Sequence, residues 1–436
     1  MVTMAWIYLA VSVWCAWFTY NALRPAHDKG PAVVPSFFAG WLTSELAAHH
    51  LVFQFTATLI FWRAGVLRSW QGVLGFAITL ASWAGLTTML LTSRGSGQLV
   101  EESLESGLGA DFRERFTPEV RAALGAKDIR RSRLILPFWL THPEVTKTRN
   151  IRYADGAGSR HLLDVYRPDR PVRDAPVLLQ IHGGGWVIGD KSQQGLPLVN
   201  HMAARGWVCV AINYRLSPKS AFPAHIEDCK LAIRWIRENI AEYGGNPDFV
   251  CVTGGSAGGH LSSLTALSAN DPAWQKGFVD VDTSMRACVP FYGVYDFTFE
   301  NGSKHELGML DFIERTVVKQ HVDDNRPLYE AASPIYRIGP DAPPFYVVHG
   351  TNDTLVPVSQ ARRFVDKLRA ESRQAVLYTE FPGTQHAFEV FHSPRTENVC
   401  NGVADFLSSV YSDYLRSDES PDSDPARSSL AGAGSR

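Results

Sequence analysis

The sequence predicts a doubly wound α/β fold, a mostly parallel sheet of eight strands, preceded by a small helical transmembrane region. Three observations predict it. From about residue 146, short apolar runs alternate with longer helical stretches. Several of those runs are unbroken β-branched or aliphatic residues, as strands covered on both faces require. The first 95 residues, by contrast, hold uncharged stretches as long as a bilayer is thick.

Met4 to Leu23 runs twenty residues without a charge, and Trp70 to Ser93 runs 24. At ~1.5 Å per residue each crosses a hydrocarbon layer of ~30 Å. Trp6, Tyr8, Trp14, Trp17, Tyr20 and Trp70 fit anchoring at the interfaces. Between them Val33 to Trp62 is apolar but carries Glu45, His49 and His50. Three readings are open for it: a full span, a span shortened to Leu46–Trp62, or an interfacial helix, because a carboxylate in lipid is costly unless paired or neutral. Three helices are favoured over two. Met1 to Tyr8 has no Lys or Arg and no A-x-A site follows, so the first segment reads as a retained anchor. Three spans put Arg24, Lys29 and Arg94 inside with the rest of the chain, whereas two spans put that part outside, so the side stays open.

Residues 96–145 read as a connector, with a helix near Pro118–Leu124 and a possible share in a cap. Strands are expected at Lys147–Tyr153, Leu162–Arg167, Val177–His182, Val208–Tyr214, Val250–Thr253, Ala287–Tyr292, Phe345–His349 and Val376–Phe381. Helices are expected between them at Gln194–Arg205, His225–Tyr243, Ala257–Ser268 and Ser359–Ser372, and after them at Glu397–Leu415. That alternation defines a catalytic domain over 146–416 with a mostly parallel sheet. Residues 417–436 are rich in Ser, Asp, Pro, Gly and Ala and read as a disordered tail.

Lys and Arg number 42 against 44 Asp and Glu, for a net charge of −2, which gives no reason to expect nucleic acid as a partner. The six cysteines form no CxxC pair and sit mostly in apolar runs, so they read as buried thiols.

Chemistry concentrates in four loops. Gly254-Gly255-Ser256-Ala257-Gly258-Gly259 follows one strand and opens a helix. A nucleophile elbow needs that context: a tight turn exposes the serine, and glycines let strand and helix approach. A glycine-rich turn whose serine merely caps the helix is the bland alternative. His182-Gly183-Gly184-Gly185-Trp186 follows another strand. Glycines there bring bare N–H groups to a tetrahedral oxyanion, so Gly184 and Gly185, with Gly183 as a further candidate, join the N–H of Ala257. His182 reads as a structural hydrogen-bonding residue, and Trp186 as a substrate-binding one.

The base and its orienting acid must follow in chain order. His386 lies just past the last strand, with His392 as its main rival among the downstream histidines His305, His321 and His349. Asp353 follows the strand ending at His349, and Asp296 is the alternative after the preceding strand. The four loops occur in the required order, each at the end of a strand where such sheets bind ligands.

Residues from about 150 to 415 resemble the hormone-sensitive-lipase-like branch of the α/β-hydrolases, with its bacterial carboxylesterases and relatives of feruloyl esterase and kynurenine formamidase. The resemblance rests on His182–Trp186, Asn213–Pro218, Phe222–Ala224, Glu227-Asp228 and Gly254–Gly259, while His260-Leu261 is similar to the formamidase-like members. It implies an α/β-hydrolase fold with a Ser256, Asp353, His386 triad and an oxyanion hole of Gly184, Gly185 and Ala257. Many esterases of the branch have Asp where this chain has Gly255, which leaves the subfamily open. The apolar first third looks like the anchor of certain actinobacterial esterases. The expected activity is serine esterase or lipase chemistry through a covalent acyl-enzyme, without metal or organic cofactor. The expected partners are a small or lipid ester and membrane lipid. Amide or formamide hydrolysis by the same residues, and an inactive hydrolase-like membrane protein, are the alternatives. The insert Phe297 to Arg337 and the stretch Gly95–Leu140 are expected to shape the acyl pocket.

Overall fold

The computed structural model describes residues 2–27, 32–124, 130–300, 302 and 304–418. Lys29 and most of the expected tail, 419–436, lie outside them. All eight expected strands form: β1 (Val145–Arg152), β2 (Leu162–Pro168), β3 (Ala175–Ile181), β4 (Val208–Ile212), β5 (Gly245–Gly255), β6 (Cys288–Phe291), β7 (Phe345–Gly350) and β8 (Val376–Phe381). They make one sheet in the order β1-β2-β4-β3-β5-β6-β7-β8. β2 pairs antiparallel with both neighbours, and every other pairing is parallel.

The helices are α1 (Val2–Leu23), α2 (Val33–Glu45), α3 (Ala47–Arg63), α4 (Trp70–Arg94), α5 (Ser96–Leu108), α6 (Pro118–Leu124), α7 (Arg131–Ile135), α8 (Leu196–Ala204), α9 (Ala224–Asn239), α10 (Ala257–Ala266), α11 (Lys304–Phe312), α12 (Arg326–Ala332), α13 (Val358–Glu371) and α14 (Pro394–Asp418). The sheet is covered on both faces. On one, α9, α10 and α13 bury Val177, Val252 and Phe345. On the other, α5, α8 and α14 bury Leu178, Cys251 and Tyr346. Alternate residues of one strand thus enter opposite cores, which is why the strands read as unbroken apolar runs.

The first 95 residues are built the other way round. α1 packs along α4, and α3 closes the group. Small hydroxyl residues face inward: Thr19 Oγ1 lies 2.7 Å from Ser82 Oγ, and Thr79 Oγ1 donates to Ser12 Oγ at 3.0 Å. Large apolar side chains face outward, with Trp14, Phe55, Trp62 and Leu91 all about 60% exposed. Gly75 and Gly85 sit where α4 crosses Tyr8 and Thr19 of α1. α1 and the run α4–α5 are long and apolar enough to cross a membrane.

The segment Val33 to Trp62 is broken at Leu46, whose φ of −106° and ψ of 29° leave the helical region. Two helices result. α3 nearly matches the shortened span, and α2 packs on α1 while its Phe37 and Trp41 reach the loop that carries His386. Glu45, at the break, meets Arg395 at 2.9 Å. Both side chains are almost wholly buried, so the carboxylate that looked costly in lipid is neutralised by the C-terminal part of the chain.

Candidate active site

Ser256 stands between β5 and α10 with φ 59° and ψ −121°, a strained conformation for a residue with a Cβ. The turn holds because its neighbours are bare. A Cβ on Gly254 would strike Gly258 O, and one on Gly258 would strike Ile181 O. Ser256 N donates to Phe291 O at 3.0 Å, which ties the elbow to β6.

The loop after β3 lies against this elbow. A Cβ on Gly183 would be 3.1 Å from Ser256 Cβ. Gly183 N–H, however, donates to Gln194 Oε1 at 2.7 Å and is already occupied. Gly184 and Gly185 follow with φ of 112° and 58°, conformations that favour glycine. Gly184 O accepts from Val187 and Ile188 N, which closes the loop into a turn beside Ser256.

Asp353 and His386 are brought together from the loops after β7 and β8. His386 Nδ1 lies 2.6 Å from Asp353 Oδ2, and both side chains are buried. An ionised carboxylate only accepts, so Nδ1 carries the proton and Nε2 is left as an acceptor. Oδ1 of Asp353 accepts from Leu355 N at 2.9 Å and Val356 N at 2.8 Å. His349 Nε2 adds a contact at 3.2 Å to Oδ2. Burial alone would raise the Asp353 carboxyl, but His386 and His349 hold it far below the ordinary range.

The rivals are engaged elsewhere. Asp296 Oδ1 accepts from Thr298 N at 2.8 Å and Thr298 Oγ1 at 2.7 Å, a local turn with no histidine. His392 Nδ1 pairs with Glu397 at 2.5 Å, and His321 is exposed beside Glu314. His349 Nε2 also bonds Val356 O at 2.9 Å and supports the acid loop. His182 stacks on Tyr214 at 4.4 Å, and burial pushes its imidazole down to about 4, so it stays neutral at pH 7.

Trp186 lines the cavity that holds Ser256, and its indole N–H donates to His260 Nδ1 at 3.2 Å. An indole only donates, so the His260 proton sits on Nε2 and is given to Ala332 O at 2.8 Å. The cavity has a volume of about 690 Å³. That lies within the ~300–1,000 Å³ usual for small-molecule sites. Met309 and Phe312 of α11 reach it, as expected of the insert. The stretch Gly95–Leu140 does not: α5 packs on β8 and α14 instead, and Val33 and Val34 of α2 take its place in the wall.

The protein described as "Probable carboxylic ester hydrolase LipM" of Mycobacterium tuberculosis is 42% identical over 404 residues, covering 92% of this chain and 93% of its own length. The chain belongs to the carboxylic ester hydrolase family of the α/β-hydrolase fold. Esterase LipQ of the same organism is 40% identical over 88% of this chain and 86% of its own length. The BD-FAE family model matches residues 163–368. Esterase B from Lactobacillus rhamnosis shares the fold, with a TM-score of 0.53 at 22% identity over 74% of this chain and 99% of that one.

Within this esterase framework, sequence reasoning missed two sets of residues. Tyr292 lies over the His386 ring at 4.3 Å, and its hydroxyl donates to the buried Glu389 carboxyl. No motif marks that pair. The second set is on α2. Phe37 meets His386 edge-on at 6.3 Å, and Trp41 Nε1 donates to Ala387 O at 2.7 Å. Glu45 was the available signal, since a charge inside an apolar segment implies a partner.

Proposed function

We propose that this esterase is an integral membrane serine hydrolase that cleaves carboxylic esters by two-step acyl transfer. The observation that carries the reading is the Asp353–His386 pair at 2.6 Å, beside a cavity that holds the strained Ser256. His386 Nε2 takes the Ser256 proton as Oγ attacks the carbonyl. The tetrahedral oxyanion is received by the N–H groups of Gly184, Gly185 and Ala257. His386 then gives the proton to the leaving alkoxide, and an acyl-enzyme remains. Water, deprotonated by the same nitrogen, releases the acid and restores Ser256. Asp353 keeps the imidazole in the required tautomer and stabilises its charged form. No hydrogen bond joins Ser256 Oγ to His386 among those of the described residues, and such contacts commonly tighten only when substrate binds.

The membrane part of the reading rests on the inverted polarity of α1, α3 and α4. Hydroxyls inside and tryptophans outside suit a bundle surrounded by lipid, where close packing and interhelical hydrogen bonds replace the hydrophobic drive. α1 and the run that begins with α4 are long and apolar enough to span, and α3, 17 residues of the same apolar character between them, is read as a third, shorter span. Asn352 Nδ2 donates to Ala22 O at 2.9 Å and Asn398 Nδ2 to Ser96 Oγ at 2.9 Å, so the catalytic body sits on one end of the bundle.

The test uses the full-length protein in detergent micelles. Wild type should hydrolyse p-nitrophenyl esters and take a fluorophosphonate label, and Ser256→Ala should lose both. A folded wild type that neither turns over any ester nor takes the label refutes the esterase mechanism.

A further inference from the structure

The cavity that contains Ser256 is not walled by the catalytic body alone. One side is α2, the helix between the apolar bundle and the His386 loop. Val33 and Val34 line the cavity together with Phe312 and Leu355. Phe37, one turn on, faces the His386 ring. Among the described residues that line the cavity, none is charged. Such a wall offers dispersion contact and no partner for an ionic group. Exposed apolar side chains stand at or next to that lining: Val34, Ile188 and Leu307 are 51 to 68% exposed. Ile188 and Leu307 adjoin the lining residues Val187 and Gly308 in the chain. A small polar ester would leave most of this surface unused.

We propose that α2 is the acyl-side wall of the site and selects esters of long apolar acyl chains, with Val34 as the gauge at its rim. This rests on the esterase reading above. The acetyl end of any ester reaches only Ser256 and the glycine loop. A chain of ten carbons or more must pass Val34, and its outer methylenes lie against the exposed apolar rim.

The position is also one that admits change. Val34 is half exposed, so a larger side chain there meets the cavity before it meets the core. Val34→Trp should fill the passage. Val34→Ala should open it and remove contact without blocking.

The experiment compares full-length wild type, Val34→Trp and Val34→Ala in micelles, with p-nitrophenyl acetate and p-nitrophenyl laurate. The readout is the ratio of kcat/KM for laurate over acetate. Wild type should favour laurate. Val34→Trp should lower the ratio at least ~tenfold, the scale at which a pocket rejects one or two methylenes. Val34→Ala should not lower it by more than about twofold, since it blocks nothing. Fluorophosphonate labelling reports whether each variant keeps a competent Ser256. Active variants with an unchanged ratio overturn the α2 wall while leaving the esterase reading intact. A wild type without turnover on either ester overturns the esterase reading first, and the proposal with it. Should Val34→Trp fail to fold, a Val34→Met variant, smaller than tryptophan but longer than valine, must still lower the ratio.

Discussion

Trp41 donates its indole N–H to the carbonyl of Ala387, the residue after His386, across 346 positions of chain. Ala387 has φ 59° and ψ 32°, a left-handed conformation that a residue with a Cβ seldom adopts. The hydrogen bond therefore helps to hold a strained residue next to His386, the proposed base. Trp41→Phe keeps a ring and removes the donor. It should cost about 1 kcal/mol of stability. It should also lower kcat several-fold with little change in KM. Unchanged kcat in a folded variant would show that the loop keeps its shape without Trp41.

The acid can be assigned by comparing Asp353→Asn with Asp296→Asn. The first disturbs the tautomer of His386 and should lower kcat by roughly 10³–10⁴. The second removes only a turn acceptor for Thr298. Its kcat should stay within a few-fold of wild type. The reverse order would move the acid to Asp296.

The glycine loop makes a graded prediction. A Cβ on Gly184 would collide with Ile188 O, whereas one on Gly185 has no neighbour closer than 3.8 Å. Both residues sit at positive φ. Gly184→Ala should lower kcat by about 10²–10³, as loss of one oxyanion donor does. Gly185→Ala should lower it less. Equal, small effects on kcat would place the oxyanion elsewhere.

Glu389 gives a pH dependence whose sign follows from its environment. Burial raises its carboxyl from an ordinary 4.5 to about 7, against the opposing hydrogen bond from Tyr292. Below pH 4.5 folded and unfolded chains both hold the proton, and nothing is lost. Between 4.5 and 7 the folded chain keeps a proton that the unfolded chain releases, so stability falls as pH rises. Above 7 the loss is complete, on the order of 3 kcal/mol at ~1.4 per pH unit. Glu389→Gln does not titrate. Urea unfolding in micelles should therefore show this variant gaining on wild type between pH 5 and pH 8. An identical difference at both pH values counts against a titrating Glu389.

The Glu45–Arg395 pair should respond as a buried ion pair does. Glu45→Ala strands a guanidinium that is 2% exposed and should cost ~3–5 kcal/mol. Glu45→Leu with Arg395→Met should cost less than either change alone. Additive losses in the thermal midpoint would show the two charges to be independent.

The sheet was legible because its strands are buried on both faces. Continuous runs such as Val177–Ile181 and Val208–Ile212 have no alternative use, and every strand formed within a few residues of its expected place. That Asp353 and His386 would meet was legible by order and by position after β7 and β8. The residues around them were not. Tyr292 and Glu389 are joined by tertiary packing between separate loops, and neither stands in a recognisable pattern. α2 was misleading for a physical reason: an apolar helix that packs on a protein and one that packs on lipid have the same composition. Only Glu45 distinguished them, and its partner lies 350 residues away.

Because α2 touches His386 and Ala387, and Glu45 at its end pairs with Arg395, the frontier between the two halves of the chain runs through the candidate active site rather than beside it. The halves are therefore not interchangeable parts. A chimera carrying the helices of one relative on the catalytic body of another must match at Trp41 and Glu45 or lose its histidine loop. The alignment with LipM, at 92% of this chain, reaches well into the apolar third. Helices and hydrolase align with that relative as one stretch.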